Sequence, residues 1–174
     1  MCIRDRGSTT PKFYYGLNLS ASYKGFDFSA LFQGLGGYQR QIGSYMAYAF
    51  YNGGQIQRWQ AENCWTKENP DKWAEYPRIE TMNMNHPNLQ TSDYWVRNAS
   101  FLRLKNLQLG YTLPQAWTKK IGIEKLRVYV SGQNLFSFNS FYQGWDPENE
   151  IGTGDSPSYY PITAIYSFGF NFKF

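Results

Sequence analysis

Of the 174 residues, 20% are aromatic (6 Trp, 15 Tyr and 13 Phe) and only 17% are charged, where an ordinary soluble domain carries about 25% charge. Disordered chains are poor in rings, so disorder is excluded. A mean hydropathy of −0.58, with no apolar run near the ~18 residues a membrane helix needs, excludes a transmembrane helix. The net charge of +4 is scattered, with no basic run longer than Lys119-Lys120, so no nucleic-acid partner is expected. What remains is an all-β protein that displays rings, and a membrane barrel is one candidate.

In chain order, Met1-Cys2-Ile3-Arg4-Asp5-Arg6 lacks the apolar core of a signal peptide. The hexapeptide resembles the translation of a transposon-based sequencing adapter, which would place the start of natural sequence near Gly7. From Phe13 to Tyr23, apolar residues occupy the odd positions, and Tyr14, Gly16, Asn18, Ser20 and Ser22 the even ones. A period of two over this length predicts a strand with one apolar face. Lys24-Gly25 predicts a tight turn, after which Phe26, Phe28, Ala30 and Phe32 continue the alternation as the second arm of a hairpin.

Gly34-Leu35-Gly36-Gly37 is expected to break that strand, opening a long loop over residues 34–93. Within it, Gln55–Asn63 suits a short helix, and Tyr45–Tyr51 fits helix or strand equally. Cys64 stands alone in a polar stretch and Cys2 has no metal-ligand spacing to it, so neither a disulfide framework nor a zinc site is supported, and no cofactor is expected. His86, the single histidine, has no nucleophile placed beside it by any motif. The glycine cluster is not a phosphate loop, because no Lys-Ser/Thr follows it.

Trp95–Leu113 reads as a long strand whose parity changes midway: Leu102 and Leu104 lie on one parity, and Leu107, Leu109, Tyr111 and Leu113 on the other. One extra residue near Lys105-Asn106, a β-bulge, would restore a continuous apolar face. Trp117–Ile121 suits one helical turn ended by Gly122. Leu126, Val128, Val130, Phe136 and Phe138 form the apolar face of a fourth strand. A polar loop then spans about 142–161, and the chain closes with Ile165–Phe174. In this last run Tyr166, Phe168, Phe170, Phe172 and Phe174 alternate with Ser167, Gly169, Asn171 and Lys173.

The expected fold is therefore all-β, an antiparallel up-and-down meander of about five long strands. A Phe stripe of this kind in a soluble sandwich would need a cover; in a membrane barrel the cover is lipid. The connections are alternately short and long: two residues, about sixty, about twelve and about twenty. Outer-membrane barrels show the same asymmetry, with short periplasmic turns and long extracellular loops. Five strands cannot close such a barrel, and open edges in lipid leave unpaired backbone groups, so further strands are expected outside this sequence.

Several segments resemble the barrel region of the SusC/RagA family of TonB-linked outer-membrane transporters. They are SDYWVRNASFLRLKNLQLGYTLP (Ser92–Pro114), YYGLNLSASYKGFDFSALFQGLGG (Tyr14–Gly37), WTKENPDKWAEYPR (Trp65–Arg78), VSGQNLFSFNSFYQGWDPE (Val130–Glu148) and the Phe-ended strand. The resemblance implies the C-terminal part of a roughly 22-stranded transmembrane β-barrel, plugged by a domain that is absent here. It implies a place in the cell outer membrane with the C-terminus periplasmic, contact with the lipid bilayer, and a SusD-like lipoprotein lid. It also implies a TonB complex acting through the plug, a glycan or peptide substrate, and no enzymatic activity. Phe174, Phe172, Phe170, Phe168 and Tyr166 match the pattern read by the barrel-assembly machinery.

Trp59, Trp65, Trp73 and Tyr76 are the loop rings that could stack on sugar, or equally pack the loop or touch the lid lipoprotein. The acidic cluster Asp146, Glu148, Glu150 and Asp155 could suggest a glycosidase pair or a calcium loop, but reads better as a solvated extracellular loop. Two other readings stand beside the transporter: a small self-contained outer-membrane barrel, and a soluble aromatic-rich glycan-binding β-sandwich.

Overall fold

The computed structural model describes residues 7–81, 87–90, 92–149 and 162–174. The period-two segments become strands. β1 (Phe13–Tyr23) and β2 (Phe26–Gly36) form a hairpin, β5 (Phe101–Thr112) follows, then β6 (Lys125–Asn139) and β7 (Ile165–Lys173). Together they make a five-stranded antiparallel sheet in the order β1-β2-β5-β6-β7. Two short strands, β3 (Gln39–Gln41) and β4 (Val96–Asn98), pair separately. The hairpin turn is two residues long, with Lys24 and Gly25 both at positive φ (46° and 87°), the twist that suits flanking strands. Among the described residues no helix is long and apolar enough to cross a membrane.

The register decides the faces. Tyr23, Phe26, Tyr111, Val128 and Phe170 lie in one cross-strand row, and Ala21, Phe28, Leu109, Val130 and Phe168 in the next. On the other face Ser20, Ser29, Gln108, Ser131 and Ser167 are aligned across all five strands. The expected bulge is present. Between two consecutive pairings β2 advances from Leu31 to Phe32 while β5 goes from Asn106 to Leu104, so Lys105 is the extra residue. Leu104 and Leu102 thereby join the face of Leu107 and Leu109.

Two sequence expectations are corrected. β2 does not stop at Gly34 but runs through Gly36, ending before Gly37 at φ 71°. Glycine is needed at position 34 because a side chain there would strike the Phe101 carbonyl and the Tyr15 ring, and that ring's hydroxyl donates to the same carbonyl at 2.7 Å. The run Trp95–Leu113 is not one strand. It breaks between β4 and β5 at Ala99-Ser100, where Ala99 N–H donates to Tyr38 O and Ser100 N–H to Asn98 Oδ1. β5 ends at Thr112, and Gln115–Thr118 (α3) followed by a 3-10 turn to Ile121 fills the connection, stopped by Gly122 at φ 74°.

The chain divides into two compact units. One holds the five-stranded sheet and its connections; the other is built from Arg40–Arg97. In the second, the ambiguous Tyr45–Tyr51 run resolves as a turn of helix α1 (Ser44–Ala47) entering a 3-10 turn Tyr51–Gly53, and the expected helix is α2 (Arg58–Glu62).

Candidate functional site

The apolar face of the sheet is open. Phe13, Leu17, Leu19, Phe26, Leu109, Val130, Phe136 and Phe138 are all exposed, and along β7 exposure runs from 53% at Phe170 to 84% at Phe174. Rings along β7 touch each other, Phe168 edge-on to Phe170 at 4.7 Å and Phe172 tilted against Phe174 at 6.0 Å. Exposed apolar area of this extent marks a surface that faces something other than water.

The opposite face is polar and organised by charge. Asp27 on β2 and Arg127 on β6 reach over the intervening β5 and meet as a two-pronged pair, Nε to Oδ1 at 2.9 Å and Nη2 to Oδ2. They cross above Gly110, where a Cβ would lie 2.6 Å from both Asp27 oxygens. Gly169 gives similar room to the Tyr129 ring, over which the Arg127 guanidinium sits at 5.0 Å. Glycine thus serves this face by letting long side chains lie flat across strands.

A second charged group joins the β6–β7 connection to β5. Arg103 is 2% exposed, and its guanidinium pairs with Asp146, and with Glu148 at 3.1 Å. Lys105, the bulge residue, pairs with Glu148. This corrects the reading of Asp146 and Glu148 as solvated. Their charges balance two cations on the sheet, one of them fully buried, and Glu148 N–H also donates to Asp146 Oδ1 at 2.9 Å. The remaining acids of that cluster, Glu150 and Asp155, lie outside the described residues, as does His86. The sequence signal was available: Arg103 and Lys105 are the two charges that interrupt the strand, and a buried cation requires a partner.

The Arg40–Arg97 unit has an aromatic core. Trp95, 1% exposed, meets Tyr94 at 4.6 Å, Tyr48 at 5.2 Å and Tyr76 at 6.2 Å, each near edge-on. Its indole N–H donates to Asn88 O at 2.8 Å. Tyr76 is 3% exposed; its hydroxyl donates to Ala47 O and accepts from Ala49 N–H. Gln60, also buried, donates to the same Ala47 carbonyl at 3.2 Å. Burial raises the phenol pKa of Tyr48 and Tyr76, the latter opposed by the Ala49 N–H bond. Tyr94 is pushed up to about 12 by burial, with the positive charge of Arg97 acting against it.

The four loop rings singled out in the sequence therefore differ. Tyr76 faces protein, not solvent. Trp59 stands edge-on to Tyr76 at 5.8 Å and is half-buried. Trp65 lines a shallow cleft with Cys64, Lys67, Glu68 and Arg78. Trp73 is 84% exposed. They form no single stacking platform. Trp95, the centre of the core, was read in the sequence only as the start of a strand.

No protein-family model matches the chain. It is 32% identical over 179 residues to TonB-dependent receptor P3 of Formosa agariphila, an alignment covering 97% of this chain and 17% of that receptor. TonB-dependent receptor SusC of Bacteroides thetaiotaomicron is 38% identical over 85 residues, 48% of this chain and 8% of SusC. The solved RagAB peptide importer in its open-open state superposes with a TM-score of 0.72 at 30% identity, over 98% of this chain and 18% of that one. The chain spans less than a fifth of the length of these relatives. With the meander, its bulge and its two unlike faces already in place, the agreement over nearly every residue settles the family: the chain belongs to the SusC/RagA family of TonB-dependent receptors.

Proposed function

We propose that this chain is part of the barrel wall of a TonB-dependent outer-membrane nutrient importer, in its C-terminal region. The observation that carries the reading is the register. It lines up an exposed apolar face over all five strands on one side and a row of Ser and Gln on the other. That is the division a barrel strand makes between lipid and lumen. On this reading Lys24-Gly25 and the α3 connection face the periplasm, the connections after β2 (from residue 37) and after β6 (from residue 140) face outside, and the β7 end is periplasmic. The solved relative is named as a peptide importer; for this chain the substrate class is a glycan or a peptide. A SusD-like lipoprotein would cover the outer side, and TonB would act through a plug supplied by other parts of the protein. Trp73 is the loop ring best placed to touch substrate or lid, being the most exposed of the four candidates.

Single cysteines placed in the intact receptor test the faces. Phe28→Cys and Val130→Cys should resist a water-soluble maleimide in outer membranes and react with a lipid-soluble one. Ser29→Cys and Ser131→Cys should show the reverse. Water-soluble labelling of both sets alike would overturn the reading, as would residues 7–174 folding alone into a soluble, cooperative monomer.

We also propose that Phe174, Phe172, Phe170, Phe168 and Tyr166 act as the signal for the barrel-assembly machinery. Phe174→Ala in the full receptor should lower the yield of assembled protein several-fold, and unchanged yield would remove the signal role.

A further inference from the structure

The two ends of the sheet differ in how their charges are matched. At the long-loop end, Asp146 and Glu148 neutralise Arg103 and Lys105. At the short-turn end stand Lys24, Lys119, Lys120, Lys125 and Lys173, all exposed, against the single exposed acidic side chain of Glu124, which pairs with Lys173 at 2.8 Å. Asp27, slightly deeper, is taken by Arg127. Among the described residues no carboxylate lies within ion-pair distance of Lys24, Lys119 or Lys120, while Lys125, opposite Lys173 in the register, stands on the polar face with Arg127 and Asp27.

The same end carries two grooves of the apolar face. One, of about 480 Å³, is lined mainly by Ala21, Tyr23, Phe26, Phe28 and Leu109, with Ser22 and the Arg127-paired Asp27 also at its wall. A second, of about 330 Å³, lies on the other side of Phe26 and Leu109, against Tyr111, Val128 and Val130. Lys24 follows Tyr23, a wall residue of the first, with its ammonium 5.2 Å from that ring's centre, and Trp117 of α3 adds an exposed amphipathic ring close in sequence to Lys119 and Lys120. Apolar grooves at the end that carries the ammonium groups of Lys24, Lys119 and Lys120 are complementary to one kind of molecule, an anion with acyl chains.

We propose that the short-turn end of this sheet is a binding surface for anionic phospholipid. The acyl chains lie in the grooves flanking Phe26, and the phosphate is held by Lys24 together with Lys119 and Lys120. The inference rests on the barrel-wall reading, which puts this end at the periplasmic leaflet, and for that reason phospholipid rather than lipid A is the occupant. Lysine suits the task because its flexible stem keeps the ammonium at the interface while its methylenes cover apolar surface.

The test uses the full receptor, purified in mild detergent and reconstituted into nanodiscs of defined composition. Retained lipid is counted by native mass spectrometry after exposure to phosphatidylglycerol, phosphatidylcholine or lipid A. The wild type should retain phosphatidylglycerol at least about tenfold over phosphatidylcholine at low salt, and the preference should shrink as salt is raised. The triple variant K24Q/K119Q/K120Q should lose most of it while keeping heat-modifiable migration, the sign of a folded barrel. Equal retention of the two phospholipids by the wild type, an undiminished preference in the variant, or stronger retention of lipid A would each overturn the proposal. If the variant fails to assemble, a salt-independent wild-type preference overturns it and a salt-dependent one supports it. A wild type that never enters nanodiscs would instead sink the barrel-wall reading.

Discussion

The sheet unit and the Arg40–Arg97 unit spend their aromatic residues in opposite ways. Along β7 the rings stand outward, Tyr166 and Phe174 being 78% and 84% exposed, and the sheet leaves Phe13, Phe26 and Phe138 equally bare. In the loop unit Trp95 and Tyr76 are 1% and 3% exposed and are ringed by other aromatics. An 11-residue strand such as β1, exposed at every position, draws its cohesion from the backbone ladder and from whatever covers its apolar face. The loop unit hides its central rings from water as a small soluble domain does, with Trp73 left outside. One composition thus supports two kinds of stability, and a disturbance to one should be separable from the other.

The sharpest break in the comparison is Trp95→Ala. It removes the ring that Tyr48, Tyr76 and Tyr94 surround and leaves the Asn88 carbonyl without its indole donor. A buried Trp→Ala change costs about 3 to 5 kcal/mol. For a unit this small that is enough to open it. Hydrogen exchange on the intact receptor should show amides across 40–97 losing protection by two or more orders of magnitude while β5 and β6 keep theirs. Loss of protection in both regions together would mean that the two units are not energetically distinct.

Asp146→Ala probes the sheet by its charges rather than its rings. It leaves the Arg103 guanidinium, whose side chain is 3% exposed, facing Glu148 alone. Breaking a buried pair from one side costs about 3 kcal/mol, more than the intact pair contributes, because a charge is stranded. The double change Arg103→Met with Asp146→Leu should recover much of that loss, as the stranded cation is gone and Glu148, though it loses Arg103, keeps Lys105. The check is a double-mutant cycle on local opening of residues 142–149 by hydrogen exchange. A double variant as weak as the single would show that the contacts, and not the stranded cation, carry the cost.

These residues also show how far the sequence could be read. Strand existence, hairpin and bulge were legible because alternation has a period that the pleat enforces, and the parity change at Lys105 had one economical explanation. Strand ends were not. Gly34 looks like a breaker in one dimension, and its value as a floor for the Tyr15 ring appears only when β1, β2 and β5 are side by side. The break at Ala99 likewise depends on a partner, the Tyr38 carbonyl, far away in sequence. For the site, the stripe on β7 was visible from alternation alone. The Arg103–Asp146 pair spans 43 positions, and no local pattern reports that a charged loop residue will be called to a buried cation. For Tyr76 the sequence leaves substrate contact and loop packing both open for a similar reason: a ring in a polar, proline-punctuated stretch shows no partner until Ala47 and Ala49 are found around its hydroxyl.

The mildest test returns to the loop unit and uses pH. The Tyr94 hydroxyl donates to Glu75 O, and burial raises its pKa to about 12 in the closed loop, against 10.0 for an unburied phenol. Below pH 10 the closed and open loops both hold the proton, and the contribution of Tyr94 is complete. Between pH 10 and 12 the open loop gives the proton up while the closed loop keeps it, so each step upward favours opening. Above 12 both forms are ionised and the effect saturates. Tyr94 retains some contact with solvent, so the total is about 1 kcal/mol after screening. The rise in phenolate absorbance should contain a late component above pH 11 that Tyr94→Phe removes. That substitution should also flatten the pH dependence of exchange and proteolysis across 40–97. The Asp27–Arg127 side of the sheet should not follow this profile, since its carboxylate and guanidinium carry no phenol proton to lose. If Tyr94→Phe leaves the high-pH opening of the loop unchanged, the buried hydroxyl is not what couples this unit to alkaline pH, and Tyr76, held by two bonds in the same core, is the next phenol to replace.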